Sequence, residues 1–314
     1  MSEPEISFCL PVFNSAGTIE RCLRAVLAQS VPSREILVVD NCSTDDTVTK
    51  AREILRGVPD ARVVVNDKNL GRVENWNRCL ELAMGRYIKF ALANDVLLPG
   101  SAEMLLSEAR RQPNAVMICS KPRFVTEVPA NPAPVAVNPS AKTFSAPEFW
   151  RHLCAVGQND TGSLNGILMN GEIVRRTGLR FRPELPFFAD LYHAIELAAH
   201  GPVVYVDAES HLFDQGIKGR YTFSGLKMLP YYFEVRTCSA LMAQKLAEHG
   251  AAAWEGFGFL FSQYLNHEWT FKNEPLPSYG DTLKLFNGAG PLRRQAIKHR
   301  IKAGLPHWAK PLLN

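Results

Sequence analysis

Over roughly the first 120 residues, apolar runs of strand length alternate with stretches in which apolar residues recur every three or four positions. Such alternation marks βαβ units, whose crossover helices cover a mainly parallel sheet. ISFCLPVF (6–13) is the first predicted strand, and a helical pattern through Ile19, Leu23, Val26 and Leu27 follows it with Ser15 as the expected N-cap. EILVVD (35–40) is the second strand, closed by a turn-rich NCSTDDT that leads into another helix. ARVVVN (61–66) is the third, followed by a helix over 72–84 that turns Val73, Trp76, Leu80 and Leu82 inward and stops at Gly85. YIKFALA (87–93) is the fourth, a helix after LLPGS has Pro99 near its first turn, and AVMICS (115–120) is the fifth strand.

Past residue 120 the pattern breaks. Five of the 21 prolines fall at 122, 129, 132, 134 and 139, so this stretch reads as a loop or linker. Residues 145–215 mix short helices and strands, including LNGILMN and VVYVD, and from about 224 onward the chain reads as helical. The 314 residues suit about two domains of ~150.

Composition changes this picture only by exclusion. With 46% hydrophobic and 21% charged residues and a mean hydropathy of −0.10, the chain is neither disordered, collagenous nor coiled-coil. No apolar window approaches the ~18 residues of a spanning helix. The first residues lack a basic segment before their apolar run, so no secretory signal is read and a cytoplasmic protein is expected. The seven cysteines have no CxxC or zinc spacing, and their odd number argues for buried, reduced thiols. The net charge of +4 is uneven: residues 291–314 hold six Lys/Arg and no acid, leaving −2 for the rest. That basic segment, with Leu292, Ile297, Ile301, Leu305 and Trp308, suits an anionic membrane surface, a dimer contact or a solvated helix. No nucleic-acid partner is expected.

Ligands of open α/β sheets bind at the carboxyl ends of the strands. Here those ends carry Asn14, Asp40 to Asp46, Asn66 to Asn69, and Asn94 with Asp95. There is no phosphate loop GxxxxGK[ST], no GxGxxG opening a helix after a strand and no GxSxG elbow. The series LPVFN (10–14), EILVVDNCSTDDT (35–47), NLGRVENWNRCLELAMGRYIKF (69–90), ANDVLLPGS (93–101) and FFADLYHAIELAAHG (187–201) resembles the family 2 glycosyltransferases of GT-A fold, over about residues 5–215.

The resemblance implies an α/β fold with a mainly parallel central sheet: a catalytic domain over 1–215, its nucleotide-binding half at 1–120 and acceptor-binding half at 121–215, and a helical extension over 216–314. It implies transfer, with inversion, from a nucleotide-diphosphate sugar to a saccharide or lipid-linked saccharide, as in cell-surface polysaccharide synthesis. Carried over, Pro11, Phe13 and Asn14 lie in the nucleotide pocket and Asp40 matches the acid that reads the base edge, with a turn acid as the alternative. Ser43, Thr44 and Asp46 suit capping. Asn69, Gly71, Asn75 and Asn77 match a segment along the donor, with an exposed helix face as the other reading of the asparagines.

The family's Asp-Ala-Asp-Asp, which ligates Mg²⁺ or Mn²⁺ on the donor diphosphate, is here Leu92, Ala93, Asn94, Asp95. Asn94 falls on the metal position with Asp95 beside it. An amide oxygen brings no charge, so metal affinity should fall. Lys218 and Arg220, in FDQGIKGRYT, are expected to supplement or replace the metal at the diphosphate, unless they form a solvated basic loop. Asp190 matches the general base, with helix N-cap as its other reading and Ala189 where the family carries a second acid. His193, near Asp190 on the same helix, is read as packed or solvated rather than catalytic. Two rival classes remain: a non-catalytic sugar-nucleotide-binding protein, given the altered metal motif, and a nucleotidyltransferase, whose basic glycine-rich motif is missing after ISFCLPVFN.

Overall fold

The computed structural model describes residues 3–156, 163–216 and 228–250. They fall into two compact units, one of 3–149 with 163–216, the other of 150–156 with 228–250. The first unit is built on one sheet.

Its strands are β1 (Ile6–Val12), β2 (Arg34–Asp40), β3 (Ala61–Val65), β4 (Tyr87–Phe90), β5 (Val96–Leu97), β6 (Met117–Val125), β7 (Ala141–Phe144), β8 (Ile167–Asn170) and β9 (Val203–Asp214). The helices are α1 (Ile19–Leu27), α2 (Thr47–Ile54), α3 (Arg72–Leu82), α4 (Ser101–Arg111), α5 (Ala146–Val156), α6 (Gly171–Thr177), α7 (Ala189–Ala198) and α8 (Met228–Glu248), of which α8 belongs to the second unit and α5 runs from one unit into the other. The sheet order is β3-β2-β1-β4-β8-β6-β9-β5, with β7 also on β9. β3, β2, β1 and β4 are mutually parallel. β8 is inserted antiparallel between β4 and β6, and β6 pairs parallel with β9.

The hydrophobic pattern explains the parallel half. The central strands β1 and β2 are buried along almost their whole length, as expected of strands covered on both faces. α1 buries Ile19, Cys22, Leu23 and Val26, a stripe at helical spacing, while Glu20 and Arg24 pair on its outer face. The order turns from β1 to β4 after β3, so the switch point lies between the carboxyl ends of β1 and β4.

Several elements depart from the sequence reading. α1 starts at Ile19, and Ser15 serves through its carbonyl, which accepts from the N–H groups of Thr18 and Ile19. β6 continues through Pro122, where register shifts at Ser120 to Pro122 take up a residue that cannot donate to the ladder. VVYVD is only the first part of the twelve-residue β9. The seven cysteines form no disulfide, and all but Cys42 are buried. No helix of the described residues is long and apolar enough to cross a membrane. The basic segment 291–314 lies outside the described residues.

At the amino ends of the parallel strands, opposite the switch point, Glu35, 1% exposed, accepts from Ser7 Oγ, Met84 N (2.9 Å) and the Arg62 guanidinium. Gly85 closes against this cluster, its N–H donating to Ser7 Oγ at 2.7 Å. A Cβ on Gly85 would lie 2.5 Å from Ser7 N and 2.7 Å from Ile6 C, both backbone atoms. Gly85→Ala should therefore cost about 1–3 kcal/mol by overpacking, read as a lower denaturant midpoint; an unchanged midpoint would contradict this packing.

Candidate functional site

Two loops meet at the carboxyl ends of β1 and β2. Asn14 takes a left-handed φ of 46°, which an asparagine tolerates. Its N–H donates to Ser43 Oγ (2.9 Å) and its Oδ1 accepts from Thr44 N (2.9 Å). Ser15 N donates to Thr47 Oγ1 (2.7 Å), and Ala16 N to Asp45 Oδ2 (3.0 Å). Phe13 is left 46% exposed beside them.

Asp40 is fully buried. Its Oδ2 accepts from Ser43 N (2.8 Å) and its Oδ1 from Ser43 Oγ (2.5 Å), so the carboxylate organises its own turn. The geometry is that of the turn acid, the alternative weighed for this position. Asp46 precedes α2 without a side-chain cap bond; Asp45 takes that part, accepting from Thr47 N at 3.0 Å.

A group of asparagines forms the next wall. Asn41 Nδ2 donates to Asn69 Oδ1 (2.8 Å) and to the Gly71 carbonyl (3.2 Å), while its Oδ1 accepts from Leu70 N (2.8 Å) and Asn66 Nδ2 (3.2 Å). Asn75 ties the group to β2 by donating to the Val39 carbonyl (3.0 Å). Gly71, at φ 84° and ψ 162°, turns the chain into α3. Asn69 and Gly71 are exposed on this wall. Asn77 is not part of it: 1% exposed, its carboxamide pairs with the backbone N–H and carbonyl of Phe181 at 2.8 and 2.9 Å, which corrects its expected donor contact.

The turn after β4 holds the altered metal motif. Ala93 is 6% exposed, Asn94 projects into solvent, and Asp95 is 2% exposed. Asp95 Oδ2 accepts from Asn165 Nδ2 (2.7 Å) and its Oδ1 from Asp214 N (3.2 Å). Asn165 also accepts from Leu92 N (2.7 Å), and its carbonyl accepts from Lys89 Nζ. Burial pushes the Lys89 ammonium down to about 7. Arg21, from α1, donates through one nitrogen to Asp214 Oδ2 (2.7 Å) and to the Asn94 carbonyl (3.1 Å).

The donor set does not fit a protein-held divalent cation. Asn94 offers one neutral oxygen, the Asp95 carboxylate is engaged on both oxygens, and no group of three or more His, Cys, Asp or Glu could hold a metal among the described residues. Asp95, beside Asn94 at the metal position, is thus found turned inward. Lys218 and Arg220 lie outside the described residues.

Asp190 is the second residue of α7 rather than its N-cap, which is Phe188. Its carboxylate stands in the first turn, where the helix dipole favours negative charge, and Oδ1 accepts from Leu191 N at 2.8 Å. The segment leading into α7 is fastened to the asparagine wall: Arg72, next to Gly71, donates to the Pro186 carbonyl and stacks over Trp76. Thus Phe13, Asn14, Asn69 and Gly71 come together at loops tied across β1 to β3. Asn94 is held by Arg21, and Asp190 is reached through Arg72. Arg21, Asn165 and Asp214 were missed by the sequence reading because their partners lie 70 or more positions away.

His193, three residues after Asp190 in α7, is 1% exposed and stacked on Phe181 at 4.3 Å. Burial lowers its pKa to about 4, opposed by a hydrogen bond with the Leu179 backbone. Because the folded value lies below the ordinary 6.5, the unfolded chain takes up the proton first. Stability is then full above pH 6.5 and falls by up to about 3 kcal/mol as pH drops toward 4. His193→Leu should flatten that part of the acid slope in pH-dependent unfolding; equal slopes would contradict the assignment.

Comparison with known proteins bears on this geometry. Residues 7–153 match the family model described as Glycosyl transferase family 2. The succinoglycan biosynthesis protein ExoO of Rhizobium meliloti is 32% identical over 108 residues, 34% of this chain and 30% of that protein. The matches span about a third of the length of the first curated relatives. Among solved structures, S. aureus TarS 1-349 in complex with UDP aligns with TM-score 0.62 and 17% identity, covering 98% of this chain and 86% of that one. The mannosyltransferase of Pyrobaculum calidifontis, in complex with GDP-Man and Mn²⁺, aligns at 0.54 and 15%, covering 95% and 84%. The shared fold is the GT-A α/β fold.

Proposed function

Residues 7–153 make this chain a family 2 glycosyltransferase, and from that premise we propose that it moves a sugar, with inversion, from a nucleotide-diphosphate sugar to a saccharide hydroxyl in polysaccharide or lipid-linked oligosaccharide synthesis. The observation that carries the reading is the interlocking of the loops at the switch point, which leaves Phe13, Asn14, Asn69, Gly71 and Asn94 exposed on one rim. The nucleoside lies against Phe13 and the Asn69–Gly71 wall, and the diphosphate lies by the 92–95 turn. Pro11 and Asp40 shape this pocket from behind, Asp40 through its turn.

Asp190 takes the proton of the acceptor hydroxyl as that oxygen attacks the anomeric carbon. The bond from that carbon to the phosphate oxygen breaks on the opposite face, and the nucleoside diphosphate departs with the bonding electrons. A divalent cation, when present, offsets leaving-group charge. Asn94 would offer such a cation one neutral oxygen. Residues 1–215 form the transferase domain in this reading, and 216–314 an appended extension that offers the membrane-surface or dimer contact.

Asp190→Asn separates chemistry from binding. Transfer should fall by at least about 100-fold with nucleotide affinity and unfolding midpoint retained. An Asp190→Asn chain that still transfers sugar rejects the base assignment, and a wild-type chain that binds sugar nucleotides without transferring or hydrolysing them favours a binding protein.

A further inference from the structure

Arg21, in the first turn of α1, has more hydrogen-bonding capacity than the protein uses. Its Nη2 donates to Asp214 Oδ2 (2.7 Å) and to the Asn94 carbonyl (3.1 Å). Its Nε is buried without a hydrogen-bond partner, and Nη1 makes no hydrogen bond among the described residues. Arginine only donates, so the direction of both bonds is fixed. A guanidinium that serves only to clamp a carboxylate presents a pair of nitrogens to both carboxylate oxygens. Here Asp214 gives it one oxygen and keeps the other for Gly216 N (2.9 Å). The ion pair leaves the Nη1 edge of the fork unused.

The place of that fork is set from two sides. Cys22, the next residue, turns its Sγ to the carbonyls of Ala91 and Leu92 (3.8 Å each), which seats the first turn of α1 on the chain leaving β4, at the switch point. The Asn94 carbonyl then holds the guanidinium on the outer side of the 92–95 turn. That bond is exposed at both ends: Asn94 projects into solvent, and the Arg21 side chain is 32% exposed against 7% for that of Asp214. With Asp95 also buried, the turn draws its acids inward and shows an amide and a guanidinium outward.

When the bond from the anomeric carbon to the phosphate oxygen breaks, its electron pair stays on that oxygen and negative charge collects on the departing diphosphate. The turn offers no acid to hold a divalent cation there, and a side-chain cation already fixed in place offsets this charge without reorganisation. We propose that Arg21 is a substrate-contacting residue whose Nη1 edge donates to a phosphate oxygen of the donor, so that the diphosphate is held without a protein-bound metal. Arg21 stays protonated throughout and moves no proton. The proposal rests on the nucleotide-sugar reading above and adds the group that takes the diphosphate.

The test is calorimetric titration of the full chain with UDP, dTDP and GDP in excess EDTA, beside thermal unfolding. Removing Arg21 alone would leave the Asp214 carboxylate unpaired, so Asp214→Asn is compared with the double variant Arg21→Met/Asp214→Asn. The wild type should bind at least one of the three nucleotides in EDTA. Asp214→Asn, which frees the guanidinium, should bind it at least as tightly, and adding Arg21→Met should weaken binding about 10-fold or more at an unchanged unfolding midpoint. A double variant that binds as tightly as Asp214→Asn overturns the proposal, as does an affinity that falls only together with the midpoint. A wild type that binds in Mn²⁺ but not in EDTA also overturns it and leaves the transferase reading standing. A wild type that binds none of the three, with or without Mn²⁺, defeats that reading and this proposal with it.

Discussion

Asp95 is buried to 2% exposure and accepts hydrogen bonds from the Asn165 side chain and the Asp214 backbone, and the arrangement of the site follows from where those three residues stand. They come from the turn after β4, the turn before β8 and the end of β9, so one carboxylate holds together segments of the sheet as far apart in sequence as 119 positions. A carboxylate so buried must be fully hydrogen-bonded and have cations near it. Lys89 approaches through the Asn165 carbonyl, and Arg21 through Asp214. The same bonds orient the 92–95 turn so that Asn94 projects outward while its carbonyl is held by Arg21. What the site presents to a ligand is thus a neutral amide, with the acid drawn inward.

The parallel half of the sheet was legible because its information is local. Buried runs such as EILVVD, helices with a 3.6-residue stripe and a stop at Gly85 carry their own structure. β8 was harder to place: LNGILMN reads as a short strand, but nothing local says that it runs antiparallel between β4 and β6. Pro122 misled for a related reason, since a strand can pass through proline only where its register shifts, and the shift is set by its partner β9.

Candidate chemistry followed the same division. Exposed polar residues on the loops, Asn14, Asn69 and Asn94, stand where the strand ends put them. Asp40 and Asp95 look from sequence like acids offered to a ligand, yet each is buried by hydrogen bonds with its surroundings. The sequence distinguishes an acid from an amide but not inward from outward. Arg21 had no signal at all: Asp214 and the Asn94 carbonyl, which hold it at the 92–95 turn, lie 193 and 73 positions away.

Asp95 joins segments of the fold through its buried hydrogen bonds, and denaturant unfolding of Asp95→Asn tests this most directly. The substitution keeps shape but turns an amide N–H₂ against the Asn165 amide or the Asp214 N–H, leaving a buried donor unsatisfied. A loss of about 2 kcal/mol or more in unfolding free energy is expected. An Asp95→Asn chain as stable as the wild type would contradict the account.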